Sequence, residues 1–289
     1  MKRLLVTGGS GFVGTHLLRR GRDRFFLTAA VHRRPLSIEG VAAVPFDLDD
    51  ARSIDQAVEV AQPDVIIHAA AWVHPDACEG DPGLAHHRNA VATEVLAEAA
   101  ERLGARLIFC STDMVFEGST GNYSENSETR PVNVYGKSKL TGERFVQAIC
   151  SDYAIARLAL VYGSTEPGGN SFSEAIRRRI VSGEEQPLFT DQFRSPILVT
   201  DLADALLELA ESQFVGLIHL GGAQRTDRYT FGRTLARLHG LSETGLKPAS
   251  IVDVSLKAPR PVDASLNTAQ AESLLSTNLR GYEEGLKDA

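Results

Sequence analysis

A chain of 289 residues, 43% hydrophobic and 23% charged, can bury one large core or a large and a smaller one, and it is too apolar for disorder. Its net charge of −7 excludes a broad electrostatic grip on nucleic acid, which needs a basic footprint. No apolar run nears the roughly 20 residues that span a bilayer, so no membrane partner is expected.

The first apolar stretch stops at Val6, where Gly8 and Gly9 follow, too early for a secretory leader. Cys78, Cys110 and Cys150 are sparse, odd in number and far apart, with no CxxC. That pattern suits reduced packing thiols, and a cytoplasmic location is expected.

Near-continuous apolar runs predict buried strands over residues 3–7, 25–31, 41–46, 64–69, 106–110 and 154–160. Amphipathic patterns between them predict helices over 12–20, 51–61, 83–103 and 134–150. This alternation predicts an α/β fold, a doubly wound parallel sheet covered on both faces. After Tyr162 come a Gly/Pro-rich loop over 163–170, helices over 171–181, 201–211 and 229–239, a strand over 216–220, and a proline-bearing tail. The expected division is a dinucleotide-binding domain over 1–159, to which 197–222 returns. Residues 160–196 and 223–289 then form a smaller C-terminal substrate lobe.

The first strand runs straight into Gly8-Gly9-Ser10-Gly11-Phe12-Val13-Gly14 and then a helix. Glycines at 8, 11 and 14 suit a tight turn, a close approach of pyrophosphate to backbone, and tight helix–strand packing. The helix start adds free N–H groups and a favourable dipole. The second strand ends in Val31-His32-Arg33-Arg34, with no acid before Glu39. An arginine there suits a ribose 2′-phosphate, which predicts NADPH in preference to NADH. Either arginine alone also fits a solvated basic loop.

Tyr135 and Lys139 stand four residues apart on a predicted helix, and so share a face. An adjacent ammonium is expected to pull the phenol's pKa from about 10 toward neutrality. The fifth strand brings Ser111 and Thr112 to its end, either of which can polarise a carbonyl or simply cap a turn.

The spacing Gly-x-x-Gly-x-x-Gly resembles the extended short-chain dehydrogenase/reductase family. Asp47-Leu48 matches that family's acidic-apolar pair beside the adenine, and Ala69-Ala70-Ala71 its small-residue loop beside the cofactor. The resemblance narrows through Ser-Thr-Asp-x-Val-Phe-x-Gly (111–118), Tyr-Gly-Lys-Ser-Lys-Leu-x-Gly-Glu (135–143), Asp-Gln-Phe-x-Ser-Pro (191–196) and Pro-Arg-Pro (259–261). This ordered set is similar to the dTDP-4-dehydrorhamnose reductase family along essentially the whole chain. It implies reduction of a 4-keto nucleotide sugar by NAD(P)H, with Thr112, Tyr135 and Lys139 as the catalytic set. Met114, Phe116, Asn170, Arg194 and Arg260 are expected to face the substrate. For the two arginines, surface ion pairing is the alternative.

Two positions depart from the family pattern. Met114 stands where the family usually has Tyr, and Leu160 where it usually has Trp. Two other functions stay open on the same scaffold. One is a sugar-nucleotide epimerase or dehydratase, toward which the ribose-site arginines argue mildly against. The other is a non-catalytic regulatory subunit, as in methionine adenosyltransferase. His86-His87 lacks a second ligand pair, so no metal is expected. Trp72 reads as packing, Arg177–Arg179 as a solvated helix face, and a homodimer is left open.

Overall fold

The computed structural model describes residues 1–165 and 171–289. Seven strands form one sheet in the order Gly216–Leu220, Tyr153–Leu158, Arg106–Thr112, Val65–His68, Lys2–Thr7, Phe25–Val31 and Val41–Pro45. Every neighbouring pair is parallel. The chain builds outward from Lys2–Thr7 in one direction, then returns to its other side with Val65–His68. That reversal opens a crevice at the strands' carboxyl ends, where ligands bind in folds of this class.

The continuous apolar strands follow from burial on both faces. Helices Phe12–Arg20 and Val199–Glu211 cover one face, with Leu17, Leu18, Leu202 and Leu206 in the shared core. Helices Ala51–Ala61, Ala92–Leu103 and Val134–Ile149 cover the other, through Ile54, Val58, Leu96 and Val146. Each such side chain contributes roughly 1.5–3 kcal/mol on burial. A third core gathers Tyr162, Ile176, Leu188, Phe231 and Leu246. It joins helices Phe172–Ser182 and Arg228–Leu238 to the parallel strand pair Gln186–Phe189 and Leu246–Ala249.

The helix expected over 83–103 forms, with one local widening. It starts as Pro82–His86, passes through a π-turn at His87–Val91, and continues as Ala92–Leu103. Asn89 on the wide turn accounts for the widening. Its Oδ1 accepts from the Trp72 N–H (2.8 Å), while its Nδ2 donates to Trp72 O (3.1 Å) and Ser138 Oγ (3.0 Å). The side chain pins the loop after the fourth strand to the helix Val134–Ile149, and a single turn of π geometry aims it there.

Two histidines are sealed into this frame. His68 contacts the Thr7 and Thr93 hydroxyls at 2.7 and 3.2 Å, and burial pushes its pKa down to about 3. Burial, aided by Arg157, lowers that of His219 to about 4. Both are neutral in the folded chain, whereas the unfolded chain protonates them below about 6.5. The unfolded state therefore binds more protons, and stability falls as pH drops from about 6.5 toward 4. Thermal midpoints measured from pH 7.5 to 5 are expected to decline, and less steeply for His219→Gln. Equal slopes for the two proteins would refute this.

Candidate active site

One cleft of about 930 Å³ runs along the carboxyl ends of the strands. Six consecutive strands each deliver residues to its wall just past their ends. They are Gly8 to Gly14, His32 to Arg34, Phe46 to Leu48, Ala69 to Val73, Thr112 to Met114, and Ala159 to Val161.

The glycine turn is shaped to admit a ligand. Gly8 has φ +68°, and a Cβ there would sit 3.0 Å from the Ala70 backbone. A Cβ on Gly14 would lie 2.2 Å from the Gly8 carbonyl oxygen, so only glycine lets this helix meet the turn. The helix Phe12–Arg20 has no side-chain cap and no acid in its first turn. Its leading N–H groups are left for an anion. Ser10, Gly11, Phe12 and Val13 line the same end of the cleft.

His32, Arg33 and Arg34 reach the cleft from the second strand, opposite Asp47 and Leu48 from the third. His32 Nε2 stands 3.1 Å from Asp47 Oδ2, tying the two loops together. Ala69, Ala70 and Ala71 form the near wall, where the Ala70 N–H donates to Thr7 Oγ1 (3.1 Å). Trp72 continues it with the Arg88 guanidinium 5.4 Å above its ring, and Arg88 is in turn held by both Asp49 oxygens. Trp72 is thus a cleft residue as well as a packing one.

Thr112 and Tyr135 line the far end together, where the Thr112 hydroxyl accepts from the Met114 N–H at 3.2 Å. Burial pushes the Tyr135 phenol well above its ordinary range, and the Asp113 charge adds to that push. The expected pull toward neutrality is therefore corrected: desolvation dominates, and the phenol stays protonated at neutral pH. Lys139 itself lies deeper, 1% exposed, with Nζ 3.9 Å from the Phe109 ring centroid. Burial lowers its pKa to about 8, against the opposing charges of Cys110 and Glu143. Ser111 is turned away, donating to Glu143 Oε1 at 2.5 Å in the core.

Among the expected substrate residues, Met114, Arg194 and Arg260 line this end of the cleft, as does Leu160. Phe116 does not. It is fully buried, its ring stacked on Tyr123 at 4.3 Å, and its place on the substrate side is corrected to a packing role. The two-residue alternation of extended chain would put both on one side, but it does not hold here: Met114 lies inside the 3-10 turn Asp113–Val115 and Phe116 follows it. Asn170 lies outside the described residues. Arg260 donates to Asp76 Oδ2 (2.9 Å) and Ala258 O (2.8 Å). Arg194 Nε faces Asp113 Oδ2 at 3.1 Å. Sequence reasoning passed over Asp113 and Arg228, which line the same end. Asp113 sat within a quoted motif, whereas Arg228 carries no local signal.

The family model described as the RmlD substrate binding domain matches residues 1–289. This chain belongs to the dTDP-4-dehydrorhamnose reductase family of extended short-chain dehydrogenases/reductases. Within the family, dTDP-4-dehydrorhamnose reductase of Mycobacterium tuberculosis (strain CDC 1551 / Oshkosh) is 32% identical, over 100% of this chain and 92% of that protein. Methionine adenosyltransferase 2 subunit beta of Xenopus laevis is 31% identical, over 99% and 86%. The crystal structure of dTDP-4-dehydrorhamnose reductase from Bacillus anthracis str. Ames in complex with NADP aligns with a TM-score of 0.86. It is 26% identical, with 99% of this chain and 97% of that one covered. The family fold is therefore the fold of this chain, a Rossmann-like parallel sheet flanked by helices.

Proposed function

We propose that this protein is an NAD(P)H-dependent reductase that converts dTDP-4-dehydrorhamnose to dTDP-L-rhamnose in the cytoplasm, with NADPH the preferred cofactor. The observation that carries the reading is the placement of Thr112 and Tyr135 together in the wall of a cleft that begins at an uncapped glycine turn. The names of the relatives above support the substrate class.

The residues present fit a nicotinamide dinucleotide. The Gly8–Gly14 turn and the helix start would hold its pyrophosphate, and Ala69–Ala71 would flank it. Asp47 and Leu48 would border the adenine, with His32, Arg33 and Arg34 about the ribose. When bound, the reduced cofactor supplies a hydride to the carbonyl carbon of the sugar. Thr112 Oγ1 and the Tyr135 phenol orient the carbonyl oxygen. As that oxygen gathers the electron pair of the broken π bond, Tyr135 donates its proton to it. Lys139, through its ammonium, holds positive charge behind the developing phenolate. Residues 160–196 and 223–289 are assigned to the substrate lobe, from which Arg194 offers a cation for the diphosphate alongside Arg260.

Oxidation of NADPH by the purified protein in the presence of dTDP-4-dehydrorhamnose tests the reaction. Binding of NADPH with no turnover of any 4-keto nucleotide sugar would instead favour a cofactor-binding regulatory subunit. The cofactor preference has its own test. Arg33→Ala and Arg34→Ala are each expected to raise KM for NADPH by about 10-fold, the worth of one charge-assisted contact, while KM for NADH holds. Unchanged discrimination in both variants would remove the preference.

The departures at Met114 and Leu160 predict a further effect. Tyr and Trp each offer a flat ring and a hydrogen-bond donor that neither present side chain supplies together. Met114→Tyr with Leu160→Trp is expected to tighten binding of the dTDP-sugar by about 10-fold. Weaker binding by the double variant would point to a different sugar.

A further inference from the structure

The substrate end of the cleft holds more buried positive charge than the described residues pair with carboxylates. Arg228 opens the helix Arg228–Leu238, the end at which a helix dipole disfavours a cation. Its Nε donates to Gln192 Oε1 (2.8 Å), and its guanidinium lies 4.4 Å from the Phe172 ring centroid. These contacts aim the group without neutralising it. Among the described residues, Arg228 Nη1 is buried with no hydrogen-bond partner, and so is Arg194 Nη2. Both residues line the cleft. Asp113 is the one carboxylate at ion-pair distance from either arginine among the described residues, and it faces Arg194.

Burying a cation without a matching anion is costly, and removing its neighbours does not relieve it. Desolvation lowers the pKa of Arg228 to about 9, and the Arg194 charge adds to the effect. Arg157 offers a contrast. It also has a buried unpartnered Nη1, but its other nitrogens grip Glu143 and it lies outside the cleft wall. Its charge is answered by Glu143, whereas among the described residues Arg228 has no carboxylate at ion-pair distance and faces the cleft.

We propose that Arg228, with Arg194, forms a receptor for an anionic oxygen group of the substrate and is a binding residue for this reaction. The inference rests on the nucleotide-sugar reading. A neutral sugar hydroxyl could accept one N–H, but it would leave the surplus charge in place. An oxyanion satisfies both free guanidinium nitrogens and the charge together, and such bonds are the strong kind in a dry site. The oxygens can come from the nucleoside diphosphate or from a carboxylate on the sugar.

Calorimetric binding of dTDP, thymidine, UDP-glucuronate and UDP-glucose to wild type, Arg228→Met and Arg228→Lys separates these cases. Arg228→Met is expected to weaken the anion that uses the receptor by about 10–100-fold, and Arg228→Lys to recover part of it. Loss for dTDP with thymidine unchanged assigns the diphosphate. Loss for UDP-glucuronate alone, with dTDP and UDP-glucose unchanged, assigns a sugar carboxylate. The Arg228→Met protein free of ligand is expected to melt at or above the wild-type midpoint, because a buried charge has been removed. A lower midpoint with unaltered affinities would make Arg228 a structural residue and overturn the proposal. Equal affinities in wild type and Arg228→Met for every anion would overturn it while nucleotide-sugar binding stands. Failure of the wild type to bind any of these nucleotides would overturn that reading and the receptor with it.

Discussion

Tyr135→Phe is expected to lower turnover by about 10²–10⁴-fold, the usual weight of a positioned general acid, and to leave NADPH affinity within a few-fold of wild type. The phenol is buried and held protonated by desolvation. A reductase needs that state, because its acid must carry a proton when the carbonyl oxygen turns basic. Phenylalanine preserves the ring and removes only the proton. The expected cofactor contacts are spread over the glycine turn and the second-strand loop, so affinity has little reason to change. Steady-state rates with stopped-flow or fluorescence titration of NADPH separate the two quantities. A Tyr135→Phe enzyme with near-normal turnover would show that another group supplies the proton.

Lys139 gives the same site a pH dependence. Its pKa lies near 8, so the ammonium is lost as pH rises through that value. The rate is expected to decline above pH 8, and Lys139→Ala to show a low rate without that limb. A profile flat to pH 9.5 would mean that the charge is not used.

Glu143→Ala is expected to destabilise the fold by roughly 3–5 kcal/mol, the range for leaving one member of a buried ion pair alone. Arg157 Nε and Nη2 reach the two Glu143 oxygens at 3.0 and 2.7 Å, with the side chains 4% and 2% exposed. Ser111 donates to the same carboxylate. Removing Glu143 strands a guanidinium and a hydroxyl together. For a chain of this size the thermal midpoint should drop by about 10 °C. Denaturant unfolding of Glu143→Ala, and of a double variant with Arg157→Met, measures the effect. The double variant should regain part of the loss, because Arg157→Met removes the unpaired buried charge. A single variant within 1 kcal/mol of wild type would contradict this account. Glu143 also matters to the site, since its bonds to Arg157 and Ser111 tie the strands Tyr153–Leu158 and Arg106–Thr112, the second carrying Thr112, to the helix carrying Tyr135 and Lys139.

Much of this architecture could be read before any coordinates. Strand and helix periods, the glycine turn and the order of Thr112, Tyr135 and Lys139 depend on residues within a few positions of each other. Local backbone geometry then decides them: a run of buried apolar residues makes an inner strand, and Gly14 must be glycine because of an oxygen six residues earlier. The same locality set the errors. The side chains of Met114 and Phe116 part company across a three-residue 3-10 turn, which no alternation rule anticipates. The helix over 83–103 formed as expected, but its π-turn could not be foreseen, because Asn89 answers to Trp72, a partner on another segment.

What the sequence by itself determined is the doubly wound order of elements and the identity of the residues at the strand ends. The tertiary structure alone decided which charges share one low-dielectric space. Arg157 meets Glu143 across a strand–helix contact, while Arg228 meets Arg194 across a chain return of more than thirty residues. Such meetings depend on how whole layers pack, and the energy of a buried charge depends on every neighbour at once. A linear pattern carries neither quantity. It could present Tyr135 as a candidate acid, but only burial could decide that its phenol keeps the proton.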